Sequence, residues 1–390
     1  MFFDIKNGVL TIFPVGQLDS SNSEESEHEI RQIFLNNPAD SHVMDANELQ
    51  YISSAGLRSV LRLRKDFPSL KIINTSPEVY SIFEMTGFTE MMSVEKAYRV
   101  ISVDGCQIIG QGANGIVYRL DPDTIIKVYR RADSLPDIQR ERELARKAFI
   151  KGIPTAIPYD VVKVGDGYGS VFELLNAKSF GDLLIEDPEN LDNLAEQASG
   201  LLKQIHKTEL NRGEMPDMKA TVLKWAESLS EFLSDDNYEK LYGLISEIPD
   251  DNHLLHGDFQ VKNVMLQNGE VLLIDMDTLC LGHPIFEFAN TYLSHVGFGD
   301  LDHDNMDRFF GISYELSVSF WRKLVHYYFE NESESSCDVI EQKAQIIAYT
   351  RMMARIIRHK EQNTPEGRAV IDHCKAKLSG LLSKIDSLTF

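Results

Sequence analysis

Residues 108–120 read IIGQGANGIVYRL, and the strand and turn beyond them constrain the fold more than the glycines do. Gly110, Gly112 and Gly115 form a G-x-G-x-x-G spacing that on its own also fits a dinucleotide-binding unit. Such a unit runs directly into a long helix. Here the chain continues through Val117 as IVYRL, turns at Asp121-Pro122-Asp123-Thr124, and returns as IIKVYR. Strand, tight turn, strand places a glycine loop over a hairpin, with Lys127 on the return strand.

A glycine loop bent over a hairpin is the arrangement with which protein kinases cover nucleotide phosphates, and Lys127 matches the strand lysine that holds the α- and β-phosphates. That lysine requires a carboxylate from a helix. QRERELARKAF supplies Glu141 and Glu143. Positions three, four and seven beyond Glu141 are Leu144, Ala145 and Ala148, so the apolar stripe turns Glu141 inward, with Glu143 as the alternative. GIPTAIP at 152–158 ends the helix. GYGSVFELL at 167–175 predicts a strand running into a connection between two lobes, where Glu173 and Leu175 would present backbone groups to adenine.

Further on stand HGDFQVKNVM (256–265) and LLIDMD (272–277). Asp258 and Asn263 are five apart, and Asp275 closes an apolar run from Val271. Phosphoryl transfer uses Mg2+ to bridge nucleotide phosphates; Asn263 and Asp275 carry the hard oxygens that such an ion takes. Asp258 is placed to orient an attacking hydroxyl and accept its proton. His256 reads as a packing residue that shapes the loop, and Asp277 as a second acid, a metal or substrate contact. Segments near 191–209, 219–247, 304–331, 338–362 and 366–387 have helical periodicity. WAESLSEFL and YLSHVGF are candidates for lining an acceptor pocket, against the plainer reading that they pack.

The ordered set from residue 103 onward resembles the aminoglycoside phosphotransferase and choline kinase branch of kinase-like folds, whose members carry H-G-D-x-x-x-x-N and then I-D. The resemblance implies an ATP- and Mg2+-dependent phosphotransferase acting on a small-molecule hydroxyl (an aminoglycoside, amino alcohol or sugar). GHPIFEFA at 282–289 is similar to that family's G-D-P-x-x-D-L-A segment, with two departures: His283 replaces an acid, and Glu287 replaces the Asp that buttresses the catalytic loop. Gln260 stands where a protein kinase carries lysine, and there is no A-P-E segment; both favour a small acceptor over a protein.

The first hundred residues differ in character. Asn7-Gly8 between two short apolar runs predicts a hairpin. A helix is expected within 19–36, a strand at Val43-Met44 ending at Asp45, and a helix capped by Ser53 or Ser54 with Leu57, Val60, Leu61 and Leu63 on its apolar face. Leu70 to Ile73 and the segment opened by Pro77 add a strand and a helix. VGQLDSSN, YISSAGLR and SPEVYSIFEMTGF resemble the STAS domain of anti-sigma-factor antagonists. By that resemblance Ser54 is the candidate phosphorylation switch, and a protein partner is implied. A phosphate at a helix N-terminus would be tolerated by free N–H groups and the helix dipole. The expected architecture is therefore α+β: a STAS domain over 1–100, then a bilobal kinase-like domain over 103–390, with a β-rich N-lobe to about 175 and a helical C-lobe beyond. The fusion raises two other functions, a protein serine kinase acting on Ser54 in cis or trans and a non-enzymatic partner-switching regulator.

The net charge of −21 disfavours nucleic acid and suits a cationic small molecule. Four scattered cysteines without a C-x-x-C pair predict neither a disulfide framework nor a zinc site. With no basic leader at the start and no run long enough to span a bilayer, the expected location is the cytoplasm, without membrane contact.

Overall fold

The computed structural model describes residues 1–112, 115–330 and 333–390. Ala113 and Asn114, within the glycine motif, and 331, at the end of one predicted helix, lie outside the described residues. The chain divides into two compact units, Met1–Ser102 with Val162–Gly165, and Val103–Val161 with Asp166–Phe390.

In the first unit β1 (Phe2–Lys6) and β2 (Val9–Phe13) form an antiparallel hairpin. Its two turn residues, Asn7 and Gly8, both have positive φ, which is why Asn-Gly stands there. The short β3 (Gly16–Leu18) precedes α1 (Ser23–Asn36). Then come β4 (Ser41–Asp45), β5 (Leu49–Ile52), α2 (Ser54–Asp66), β6 (Lys71–Thr75), α3 (Pro77–Met85), α4 (Phe88–Met91) and β7 (Val94–Lys96). The sheet runs β1-β2-β4-β6-β7, parallel from β2 onward. Parallel neighbours require crossovers, which α1, α2 and α3 supply. Leu10, Ile12, Ile30, Met44, Val60, Ile72 and Phe83 close the core at 1% exposure or less.

Helix α2 settles two expectations. Ser53 is the cap, its hydroxyl accepting from the N–H groups of Ala55 and Gly56 at 3.2 and 3.4 Å. Ser54 is the first helical residue and is exposed. Leu57, Val60 and Leu63 face the core, whereas Leu61 is 43% exposed. The three buried positions are spaced three apart, and Leu61, one residue past Val60, turns off their stripe.

From Val103 on, β8 (Gln107–Gln111), β9 (Gly115–Arg119), β10 (Thr124–Tyr129), β11 (Pro158–Val164) and β12 (Gly167–Glu173) form a sheet ordered β11-β12-β10-β9-β8, with α5 (Leu135–Ile150) between β10 and β11 in the chain. A helical region succeeds it: β13 (Lys178–Ser179), α6 (Phe180–Glu186), α7 (Leu191–His206), α8 (Met218–Glu227), α9 (Asp235–Ser246), β14 (Leu254–Leu255), β15 (Val264–Gln267), β16 (Glu270–Leu273), β17 (Cys280–Leu281), α10 (Ile285–His295), α11 (Asp304–Phe310), α12 (Tyr314–Tyr328), α13 (Glu334–Arg358) and α14 (Pro365–Leu382). Two predicted long helices are each a pair. The 219–247 segment breaks between α8 and α9, where Ser234 precedes the second helix, and 304–331 breaks at Gly311, whose φ of 76° ends α11.

Helix α10 lies at the centre, every residue buried, packed on α13 and α12. YLSHVGF therefore packs in the core. His295 stacks between Phe310 and Phe320, with both centroid separations 5.2 Å. Its Nδ1 meets the Thr291 carbonyl at 3.0 Å, while Nε2 has no partner among the described residues. Burial lowers its pKa to about 4 from an ordinary value near 6.5. The unfolded chain then binds a proton that the folded one refuses, so this residue's contribution to stability is lost as pH falls from about 6.5 towards 4, amounting to about 3 kcal/mol. Thermal unfolding at pH 7 and pH 5 should show His295→Phe losing less on acidification than the unsubstituted protein; equal losses would remove this residue from the acid response.

Candidate active site

The site begins with the hairpin that the glycine loop covers. Strands β9 and β10 pair with Val117 opposite Lys127, so the residue after the glycines and the lysine share one register position. Gly110 lies on β8, and a Gly112 N–H to Gly115 carbonyl bond of 3.0 Å closes the loop. At Gly115 a Cβ would stand 2.5 Å from the Val128 carbonyl oxygen, so only glycine lets the strands approach.

Lys127 Nζ lies 3.0 Å from Glu141 Oε1 on α5 and 2.7 Å from Asp275 Oδ1. Glu141 is 4% exposed; Glu143 points outward, within 4 Å of Arg146 and Lys147. Burial works against the charge on Lys127, but the carboxylates of Asp275 and Glu141 outweigh it and hold its pKa above the ordinary lysine value. Tyr129, two residues along the strand and hence on the same face, donates its hydroxyl to the other Glu141 oxygen. Sequence reasoning missed Tyr129, though period-two alternation from Lys127 marks it.

The second half of the site is the 256–263 loop. Gly257 has a φ of 82°, and a Cβ there would lie 2.4 Å from the Thr278 carbonyl oxygen. Asn263 Nδ2 donates to the Asp258 carbonyl at 2.9 Å and to Asp258 Oδ2 at 3.1 Å, which directs the Asn263 oxygen away from Asp258. His256 is fully buried. Its Nε2 meets the Ile274 carbonyl at 3.2 Å and its Nδ1 accepts from the Asp258 N–H at 3.3 Å, a pattern that requires the neutral ring with its proton on Nε2.

Glu287 sits beneath this loop with no exposure. It accepts from the N–H of His256, and from that of Gly257 at 3.0 Å. Burial pushes its pKa up, but His206 and the Gly257 N–H hold it below the ordinary carboxylate range. Asn290, one turn on and buried, donates to the Gly257 carbonyl at 3.1 Å, and Thr278 donates to the His256 carbonyl at 2.8 Å. Neither residue was singled out from the sequence; an asparagine three positions after Glu287 within an apolar helix is the readable signal for one of them. His283 is buried and its Nδ1 accepts from the Ile285 N–H at 3.2 Å, so it satisfies the start of α10 in place of a carboxylate. Burial lowers its pKa, which keeps that nitrogen available.

The β15–β16 hairpin joins the loop to Asp275. Its turn, Asn268-Gly269, has both residues at positive φ, and Val264 pairs with Leu273. The Ile274 N–H donates to the Asn263 carbonyl at 3.0 Å, so Asn263 and Asp275 stand one residue apart across the ladder. Asp275 is itself in the left-handed region, at φ 63°. Asp277 is pushed up to about 7, first by burial and then by the charges of Asp275 and Glu141.

Among the described residues no three or more His, Cys, Asp or Glu side chains are grouped to hold a metal ion. The local donor set is a carboxamide and carboxylates. That fits Mg2+, which takes one or two protein oxygens and completes its shell with phosphate and water, and does not fit an all-protein cage. Glu173 lies on β12 with its N–H 3.3 Å from the Ile157 carbonyl, so that donor is already used. Leu175, just past the strand, is half-buried with no backbone partner among the described residues.

A model of the Phosphotransferase enzyme family matches residues 105–317, more than half the chain. The chain belongs to that family. It is a kinase, and residues 3–101 match the STAS domain. A Bordetella bronchiseptica protein described as a candidate anti-sigma factor antagonist, BtrV, is 34% identical over 92 residues, covering 23% of this chain and 78% of that one. Among solved structures, a thermostable mutant of aminoglycoside phosphotransferase APH(4)-Ia with ADP and hygromycin B is 11% identical, with a TM-score of 0.50 and coverage of 78% and 98%. A GDP complex of an aminoglycoside 2'-phosphotransferase-IIIa mutant is 13% identical, with the same TM-score and coverage. At such identities the likeness is one of fold. Among the described residues no helix is long and apolar enough to cross a membrane.

Replacing Glu287 by Ala would leave two buried N–H groups without acceptors, at a cost of about 2–4 kcal/mol. Denaturant midpoints should fall clearly for Glu287→Ala and less for Glu287→Asp. An unchanged midpoint in the alanine variant would show that the carboxylate does not hold this loop.

Proposed function

We propose that this kinase transfers the γ-phosphoryl group of ATP, with Mg2+, to a hydroxyl of a small molecule, and that its STAS domain is regulatory. The observation that carries this reading is the convergence of Lys127, Glu141 and Asp275 in one ion-paired chain, with Asn263 beside Asp275 and bonded to Asp258. Lys127, held by Glu141, pairs with the α- and β-phosphates under the loop of Gly110, Gly112, Gly115 and Val117. Leu175, with Glu173 before it, would meet the adenine edge. Asn263 and Asp275 would hold Mg2+, which would offset the charge of the phosphates. Asp258 aligns the acceptor hydroxyl and takes its proton as the new oxygen–phosphorus bond forms and ADP departs.

Two features support a small acceptor. After Asp275 only positions 276–284 precede α10, which leaves no extended segment on which a peptide could lie. Gln260 is 7% exposed and offers no cation beside Asp258. The acidic surface suits an aminoglycoside or another amine-bearing alcohol.

A second reading, phosphorylation of Ser54 in cis or in another STAS domain, is favoured by one observation: Ser53 does the capping, which leaves the Ser54 hydroxyl exposed and uncommitted. Measuring ATP consumption across aminoglycosides, amino alcohols, sugars and STAS proteins, with mass spectrometry of the chain, separates the two. The expected result is turnover of a small alcohol that falls about 100- to 10,000-fold in Asp258→Ala, with Ser54 unmodified. Full activity in Asp258→Ala would sink the assignment of the base, and modification of Ser54 alone would favour the second reading.

A further inference from the structure

Next to the Lys127–Glu141 pair lies a cavity of about 240 Å³ whose lining, Tyr129, Glu141 and Asp277 apart, the phosphoryl-transfer chemistry does not use. It opens between the end of β10 and the start of α5, and Arg130, Arg131 and Arg140 line its mouth. Arg131 is tied to Asp133 at 2.9 Å, and Arg130 Nη2 reaches the Gly112 carbonyl at 3.3 Å. Arg140 has no ion-pair or hydrogen-bond partner among the described residues.

The inner wall is unusual. Ser134 precedes α5, where a serine normally accepts from the first N–H groups of the helix, yet its side chain makes no capping bond. Ser134 is 3% exposed and lines the cavity, and its Oγ is buried with no partner among the described residues. A buried hydroxyl without a partner costs about 1–3 kcal/mol and calls for an explanation. The N–H groups of Leu135 and Asp137 are also unbonded among the described residues, because the first backbone bond of α5 runs from Ile138 to the Ser134 carbonyl. Cations, a donor hydroxyl and the positive end of a sixteen-residue helix thus face one space.

Acids also border the cavity. Glu141 is fully engaged by Lys127 and Tyr129, which leaves Asp137 as the opposing charge at the mouth and Asp277 at the inner end. With Arg131 neutralised by Asp133, the balance at the mouth is positive, on a chain whose net charge is −21. The volume is that of several waters, enough for one tetrahedral anion and part of its hydration.

We propose that this cavity is a second anion site, distinct from the nucleotide site, that takes inorganic phosphate or a small phosphomonoester. An anion bound there bridges Ser134, the α5 N-terminus and Arg140 to Arg130 at the end of β10. It thereby anchors the helix that carries Glu141 and favours the Glu141–Lys127 pair.

The test is titration calorimetry of the full chain with inorganic phosphate, with and without saturating ADP and Mg2+, repeated with free phosphoserine. One site that persists with ADP present is expected. It should weaken at least about tenfold in Arg140→Gln with Ser134→Ala, whose melting temperature should not fall, and persist in Lys127→Met. Tighter binding of phosphoserine than of phosphate would support an ester as the ligand, and the reverse would support the free anion. Hydrogen exchange of the α5 amides should slow on phosphate addition. The proposal is overturned if the unsubstituted chain binds no phosphate, if ADP or Lys127→Met abolishes the site, if the double variant binds as before, or if α5 exchange does not respond.

Discussion

A buried carboxylate with no access to water must be satisfied by the protein, and Glu287 is satisfied almost entirely by backbone. Its oxygens take the N–H groups of His256 and Gly257, and a turn later on the same helix Asn290 takes the Gly257 carbonyl. Two consecutive residues are thereby pinned to the most buried helix of the unit. Gly257 can adopt the required conformation because it has no Cβ, and the neutral ring of His256 ties the loop to the strand end at Ile274. The position of Asp258 is a consequence of these contacts. Its own side chain is half-buried: Oδ2 accepts from Asn263, and Oδ1 has no hydrogen-bond partner among the described residues.

The same economy appears around Lys127. Lys127 is a cation in a partly dry site, and burial alone would push its proton off. Glu141 and Asp275, supplied by a helix and a hairpin far apart in sequence, reverse that tendency. Tyr129 in turn holds Glu141 in place. Because α5 carries one partner and the β15–β16 hairpin the other, any displacement of either element is felt at the lysine.

Much of this was readable. The G-x-G-x-x-G run leading into a hairpin, the five-residue Asp258–Asn263 spacing and the apolar stripe beside Glu141 each express local periodicity, which survives folding because it is set by the helix and strand repeats. Local signals were also overlooked. Asn268-Gly269 is the same turn dipeptide as Asn7-Gly8, and it alone predicts the hairpin that brings Asn263 beside Asp275. The breaks at Gly311 and before Ser234 were hidden because apolar spacing continues across them.

What the chain's sequence determined by itself is the inventory and the order: a STAS-like α/β unit, a glycine loop over a hairpin, a helix with one inward carboxylate, and the loop acids. Tertiary structure alone decided which serine of the Ser53-Ser54 pair caps the helix and which is exposed, how Glu287 and Asn290 divide the N–H and carbonyl of Gly257, and why Ser134 lacks a partner. Those outcomes depend on which donor reaches which acceptor across elements distant in the chain. Burial then sets the cost of every group left unpaired, and neither quantity is written in local periodicity.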